Sequence, residues 1–169
     1  MSFGTQKFDH VYSCCGAWKL YKSGRDEGFM TELKKRTADA IISAYESRKD
    51  GKLFLASKET EDLQFDCRTP DTYDCTFTRL RFEPTDNSGC IYLLNFASHA
   101  ELMGDRITEI SADFPAYMIK EIEEKNPGAN AVFYNGAIGG MISAKEIKKI
   151  YRNEIDCVAY AKDFGKMLG

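Results

Sequence analysis

The segment 90–97, with the sequence CIYLLNFA, constrains the fold more than any other stretch of this chain. It is a nearly unbroken apolar run of strand length, which is typical of a strand buried on both faces in the interior of a sheet. The turn-forming residues 86–89 (DNSG) precede it, and residues 75–83 before that turn alternate in hydrophobicity. The sequence therefore predicts a β-hairpin whose second strand is central in a sheet.

Helical patterns flank this hairpin on both sides. Residues 28–48 carry apolar side chains at i, i+4 and i+8 spacing, which predicts an amphipathic helix ended by the glycine at Gly51. Asp113 is placed to cap a helix over residues 114–125. The fold class expected is α/β, with a mixed β-sheet flanked by helices. The other predicted elements are strands near residues 7–12, 52–57, 61–66 and 131–134, and helices over residues 143–151 and 155–168.

Size and charge narrow the class of protein. A chain of 169 residues fits a single domain over residues 1–169, or a fragment of a larger domain. A formal net charge of −3 argues against a nucleic-acid partner. No apolar run approaches the ~20 residues of a transmembrane helix. The start of the chain has no signal-peptide pattern, so a cytoplasmic location is expected. Because no secretory signal is visible and the chain is large enough to bury a core, the six cysteines are expected to be free thiols and not disulfides. Their spacing does not fit a cysteine zinc site.

The two histidines, His10 and His99, are the first candidates for chemistry. His99 follows the predicted central strand directly. Strand ends in α/β sheets are where catalytic side chains collect, because the sheet fixes them while the loop opens to solvent. A histidine at such a position also fits a purely structural role, so position alone leaves both readings open.

Three segments in order carry a resemblance to a known family. They are NFASHAELMG, ISADFPAY and AVFYNGAIGG, and together they resemble the neutral/alkaline (non-lysosomal) ceramidases. That family has F-A-x-H-P-T after an apolar strand, S-A-D-[FY]-P-G at a helix start, and an N/Q-G-x-x-G-D turn. Its N-R-S-P stretch lines up with residues 67–70 and its H-T-H-S-G signature with the segment beginning at His10. The resemblance implies the N-terminal half of a ceramidase-like catalytic domain.

The resemblance implies a zinc-dependent amidase that cleaves the N-acyl bond of ceramide, giving sphingosine and a fatty acid. Carried over, the metal ligands are His10 and His99. Arg68 corresponds to an arginine near the polar head of the substrate, and Tyr12 stands where the second histidine of H-T-H-S is. The family's glutamate and tyrosine ligands come further downstream, so the zinc ligand set is incomplete in this chain. The implied partner is a lipid or another N-acyl amide substrate.

Departures from the family pattern leave alternatives open. Tyr12 replaces a histidine, Ala100 a proline and Gly140 an aspartate, and Ile142 stands where a serine is common. A non-catalytic binding or interaction domain that retains the hydrolase scaffold is therefore the second hypothesis. A serine or cysteine hydrolase using Ser143 or Cys14 is a third.

Two further expectations follow from the sequence. Ser143 fits an S-x-x-E capping box better than a nucleophile, and Asp113 is a helix cap first and a partner of a metal histidine second. A half-domain would expose apolar surface, which predicts a homo-oligomer.

Overall fold

The computed structural model describes residues 25–60, 63–66, 74–104 and 107–169, with only the backbone for 141–143. The strand predicted near residues 7–12 lies outside this range. The chain divides into compact units, one of which contains Asp50–Gly169, while the first helix belongs to the other. The helices are α1 (Glu27–Glu46), α2 (Phe114–Lys125), α3 (Ile147–Tyr151) and α4 (Cys157–Leu168). The strands are β1 (Gly51–Glu59), β2 (Gln64–Asp66), β3 (Thr76–Pro84), β4 (Ile91–Phe96), β5 (Asn130–Asn135) and β6 (Met141–Ala144).

Helix α1 begins at a side-chain cap. The carboxylate of Asp26 accepts a hydrogen bond from the backbone N–H of Phe29, at 2.9 Å, which satisfies one of the free donors of the first turn. The helix ends at Ser47, whose N–H donates to the carbonyl of Ser43. The helix predicted over residues 28–48 is thus confirmed to within two residues at each end. Its predicted end at Gly51 is wrong, because the helix stops at Ser47 and Gly51 begins strand β1.

The main sheet has the strand order β1-β3-β4-β5. Strand β3 pairs antiparallel with both β1 and β4, whereas β5 pairs parallel with β4. Helix α2 makes the crossover from β4 to β5, as a parallel pair requires. The mixed sheet flanked by helices, the hairpin and the interior position of β4 are all confirmed. Strands β2 and β6 form a separate two-stranded antiparallel sheet.

The core lies between one face of the main sheet and helices α2 and α4. Tyr92, Leu94 and Phe96 project from β4 into it and are buried. Ile91, on the opposite face of the same strand, is 41% exposed. Leu93 and Asn95, on the same face as Ile91, are only half-buried. The prediction that this strand is buried on both faces is therefore wrong. The apolar run indicates a strand in the interior of a sheet, but it does not show whether one face or both faces of that sheet are covered.

Aromatic rings join the sheet to both helices. The ring of Phe114, fully buried at the start of α2, meets Phe133 of β5 edge-on at 5.7 Å and Phe164 of α4 at 5.1 Å. Gly165 brings the two helices close together, since a Cβ there would lie 2.4 Å from the carbonyl oxygen of Phe114. Phe114 is therefore the side chain on which α2, α4 and β5 converge.

The segment around Ser143 corrects the sequence prediction. Residues Met141–Ala144 form strand β6, in which Ser143 pairs with Phe65 of β2. Helix α3 begins only at Ile147, and its N-cap residue, Glu146, makes no side-chain capping bond. The capping box and the helix start at Ser143 are therefore wrong. Pairing with a distant strand satisfies the backbone of this segment, and a local S-x-x-E pattern carries no information about that partner.

Three of the six cysteines lie in the described part of the chain. Cys75, Cys90 and Cys157 are free thiols there, as predicted. Within the same part of the chain, no helix is long and apolar enough to cross a membrane.

Candidate functional site

A cavity of about 570 Å³ runs between β5 and the first half of α2 and reaches the end of β4. Small and apolar side chains make most of its wall, whereas His99 and Ser111 bring polar atoms to it. The residues that line it are His99, Ala100, Ser111, Ala112, Pro115, Ala116, Ile119 and 131–135. This is the size of a small-molecule pocket. His99 and Ala100 place one part of it just after the carboxyl end of β4, a position where ligands often bind in α/β sheets.

His99 reaches the cavity because the chain turns sharply on leaving β4. The carbonyl of Phe96, the last residue of the strand, accepts hydrogen bonds from the N–H groups of Ser98 and Gly136, both at 3.0 Å. Gly136 packs closely here, since a Cβ at this position would lie 3.3 Å from Ala97. His99 itself is half-buried. The expectation that His99 follows the central strand at a site-forming end of the sheet is confirmed in its geometry.

Gln64 is a buried polar residue beside the same strand end. Its side-chain amide nitrogen donates to the carbonyls of Ala97, at 2.8 Å, and Asp74, at 3.0 Å. Sequence reasoning missed this residue because the segment containing it alternates only weakly, and a single glutamine carries no motif. Its hydrogen bond to the carbonyl of Ala97 joins residues that are 33 positions apart in the sequence.

Asp113 caps α2 and fixes the loop that lines the cavity. One carboxylate oxygen accepts from the N–H of Phe114 at 2.7 Å, and the other from the N–H of Met103 at 2.8 Å. The N–H of Asp113 donates to the hydroxyl of Ser111 at 3.0 Å. The predicted cap is therefore confirmed. Since both oxygens hold backbone amides, the alternative role as partner of a metal histidine has no support in this geometry.

The backbone of Asp113 is strained. Its φ of 56° and ψ of −153° fall in a region that is open almost only to glycine. Such a conformation costs of order 1–3 kcal/mol and persists only where surrounding contacts impose it. The hydrogen bonds that the carboxylate of Asp113 accepts from the N–H groups of Met103 and Phe114 are those contacts. They hold a strained residue next to Ala112 of the cavity lining.

This strain predicts an unusual order among variants. Asp113→Ala is expected to reduce the free energy of unfolding by about 2–4 kcal/mol, because two buried N–H groups lose their acceptor while the strain remains. Asp113→Gly loses the same acceptor but relieves the backbone, so it is expected to be less destabilising by about 1 kcal/mol or more. Urea denaturation of both variants measures the difference. Equal or greater destabilisation by glycine would contradict the strain.

Glu101 is a second residue that sequence reasoning missed. It is half-buried, two positions after His99. Burial raises the pKa of its carboxyl; His99 opposes this shift, and the charge of Asp113 adds to it. A carboxyl group therefore shares the electrostatic environment of His99, although no sequence motif marks it.

Of the four site residues predicted from sequence, His99 alone lies in the described part of the chain. His10, Tyr12 and Arg68 fall outside it, so their roles stay predictions. Residues 25–60, 63–66, 74–104 and 107–169 contain no group of three or more His, Cys, Asp or Glu side chains placed to hold a metal ion. His99 is a single imidazole, so the described residues do not by themselves form a zinc site.

Comparisons with known proteins agree with this architecture at the level of the fold. The neutral ceramidase from Pseudomonas aeruginosa superposes with a TM-score of 0.59 at 18% identity, over 84% of this chain and 25% of that one. The fold is ceramidase-like. A second structure, a ceramidase complexed with C2, gives a TM-score of 0.53 at 18% identity, over 79% of this chain and 25% of that one. No family model and no curated protein matches the sequence.

The three motifs that carry the family resemblance lie at the ends of elements of this fold. FASH leaves β4, SADFP opens α2 and NGAIGG follows β5, as the resemblance implied. The chain spans 25% of the length of each ceramidase structure. What the superposition establishes is the fold.

Proposed function

We propose that this chain is part of a ceramidase-like hydrolase that cleaves the N-acyl bond of ceramide or a related N-acyl compound. The observation that carries the proposal is the placement of His99 in the lining of a cavity on a ceramidase-like fold. The chain covers only a quarter of the compared ceramidases, so substrate and activity belong to the proposal.

The cavity suits an amphipathic amide. Its apolar wall, formed by residues such as Pro115, Ala116 and Ile119, matches an acyl chain. His99 and Ser111 offer an imidazole and a hydroxyl to the polar end, where the amide would lie. A polar group at one end of an apolar pocket orients a ligand as well as binding it.

The catalytic assignments extend beyond the described residues. We assign metal ligation to His99 and His10, the two imidazoles of the chain, with the remaining ligands supplied from outside the described residues. A bound zinc ion supplies Lewis-acid chemistry and an acidified water in hydrolases of this kind. Arg68 is assigned to stabilising negative charge on the carbonyl oxygen. Tyr12, at the position of the family's second histidine, is the other catalytic candidate.

Fatty-acid release from a short-chain ceramide tests the function. We expect release that depends on added zinc and stops with a chelator, from this chain or from a longer natural chain that contains it. An N-acyl amide without the sphingosine base, assayed in parallel, separates ceramide specificity from general amidase activity. No release from either chain, with zinc present, would contradict the proposal.

Binding without turnover in the same assay would favour the second hypothesis, a binding domain that keeps the hydrolase scaffold. Nothing in the described geometry favours that hypothesis over the hydrolase.

A cytoplasmic location and a homo-oligomer also stay proposals. For the latter, the exposed side chains of Leu53, Leu55 and Val132 on an uncharged stretch of the main sheet suit a second copy of the chain. A monomer in light scattering would contradict it.

A further inference from the structure

We propose that Gln64 is a positioning residue for His99. Its side-chain amide fixes the backbone where the chain leaves β4, two residues before the imidazole. The consequence for catalysis rests on the proposed function, whereas the positioning itself is a property of this chain that can be measured without any activity.

Gln64 joins three segments that are distant in sequence. It lies on β2 and is 4% exposed. Its amide nitrogen donates to Asp74, just before β3, and to Ala97, just after β4, at 3.0 and 2.8 Å. A side-chain amide carries two N–H donors, and both are used here. One buried group therefore ties the start of β3 and the end of β4 to the small sheet.

The carbonyl of Ala97 has no strand to supply its partner. Pairing between β4 and β3 ends at Asn95, and pairing between β4 and β5 ends at Phe96. Ala97 is 1% exposed, so its carbonyl oxygen is cut off from bulk water. A buried carbonyl needs a donor, and Gln64 provides it. The hydrogen bond thus acts at the point where the sheet stops fixing the chain.

The exit from β4 is held from two sides. The carbonyl of Phe96 accepts from the N–H of Gly136, just after β5, and from the N–H of Ser98 in the turn itself. On the other side, Gln64 holds the carbonyl of Ala97. Loss of either contact frees the residue pair that precedes His99, so the direction of the imidazole into the cavity depends on both.

The side-chain carbonyl oxygen of Gln64 indicates that this residue positions the backbone and is not there to maximise the stability of the fold. Its carbonyl oxygen is buried without a hydrogen-bond partner in the described part of the chain, and so is the hydroxyl oxygen of Ser98. An unpaired buried acceptor costs free energy that an apolar side chain of the same size would avoid. The two N–H donors account for a glutamine here.

Amide hydrogen exchange on Gln64→Met tests the proposal. Methionine fills a similar volume but donates no hydrogen bond, and Gln64→Glu keeps the shape while its carboxylate also cannot donate. In both variants we expect the amides of Ser98 and Gly136 to exchange roughly tenfold faster, with those in the middle of β4 unchanged. Tyr92→Phe is the matched control, because it removes a side-chain bond to Asn126 at the opposite end of β4.

Several outcomes would overturn the proposal. Unchanged exchange at Ser98 and Gly136 would do so, and so would equal acceleration of every amide, which marks a residue that serves only global stability. If neither variant folds, the wild-type protein decides, since the side-chain N–H₂ protons of Gln64 must exchange slowly. Rapid exchange of those protons would contradict the two hydrogen bonds.

An activity measurement then connects position to function. In an active hydrolase, Gln64→Met is expected to lower kcat about 10- to 100-fold with little change in KM, as the loss of a group that orients a reactive residue does. Absence of hydrolysis in the wild-type protein would count against the proposed function alone. The exchange pattern would still decide whether Gln64 positions His99.

Discussion

Replacing His99 with alanine is expected to reduce hydrolysis of an N-acyl amide by about 1,000-fold or more. His99 brings an imidazole to the cavity. Loss of a side chain that binds a metal ion or holds a proton removes several kcal/mol of transition-state stabilisation. Fatty-acid release under zinc-saturating conditions measures the loss. His99 is only half-buried, so the fold is expected to tolerate the change.

Lys120→Ala is the matched control for this prediction. Lys120 lies on α2, away from the cavity lining, and pairs with Glu124 on the surface of the helix. Surface pairs of this kind contribute little to stability, so activity and folding should both be unchanged. A His99→Ala protein that folds and retains wild-type activity would remove His99 from the site.

Replacing Phe114 with alanine is expected to reduce the free energy of unfolding by about 3–5 kcal/mol. The ring is fully buried and meets two other aromatic rings, one from β5 and one from α4. Truncation leaves a cavity where three elements converge. Helices α2 and α4 cannot move closer together to fill it, because their backbones are already in close contact at Gly165. Urea denaturation followed by circular dichroism measures the change.

Phe54→Ala provides the comparison. Phe54 is an aromatic residue of strand β1 in the main sheet and is 41% exposed, with the guanidinium of Arg81 over its ring at 4.5 Å. Its truncation is expected to cost about 1 kcal/mol or less, because a partly exposed ring has less contact to lose. Similar losses for Phe54 and Phe114 would contradict the placement of the core between the sheet and helices α2 and α4.

Local patterns in the sequence predict much of this fold. The DNSG turn between two strand patterns predicts the β3–β4 hairpin, and Asp113 before an apolar helix pattern predicts α2 and its cap. Both features depend on residues close together in the chain. The segment at Ser143 shows the limit, because its capping pattern is genuine as a sequence motif but the backbone pairs instead with β2, far away in sequence.

The residues of the candidate site also differ in whether local sequence predicts them or only contacts in the folded chain reveal them. The apolar strand before His99 places that residue at the end of the sheet, and the structure agrees. Gln64 and Glu101 escape sequence reasoning because their significance comes from contacts and burial that only the folded chain creates. The strain at Asp113 is likewise a backbone property without a motif. His10, Tyr12 and Arg68 stay predictions from the ceramidase resemblance.

We propose that the cavity beside His99 binds an N-acyl lipid, and chemical-shift mapping with a short-chain ceramide detects such binding residue by residue. We predict that the largest amide shifts on titration fall on the cavity lining, at His99, Ala112, Ala116 and Phe133, and that His99→Ala weakens them. Shifts confined to other surfaces, or none at saturating ligand, would contradict binding in this cavity.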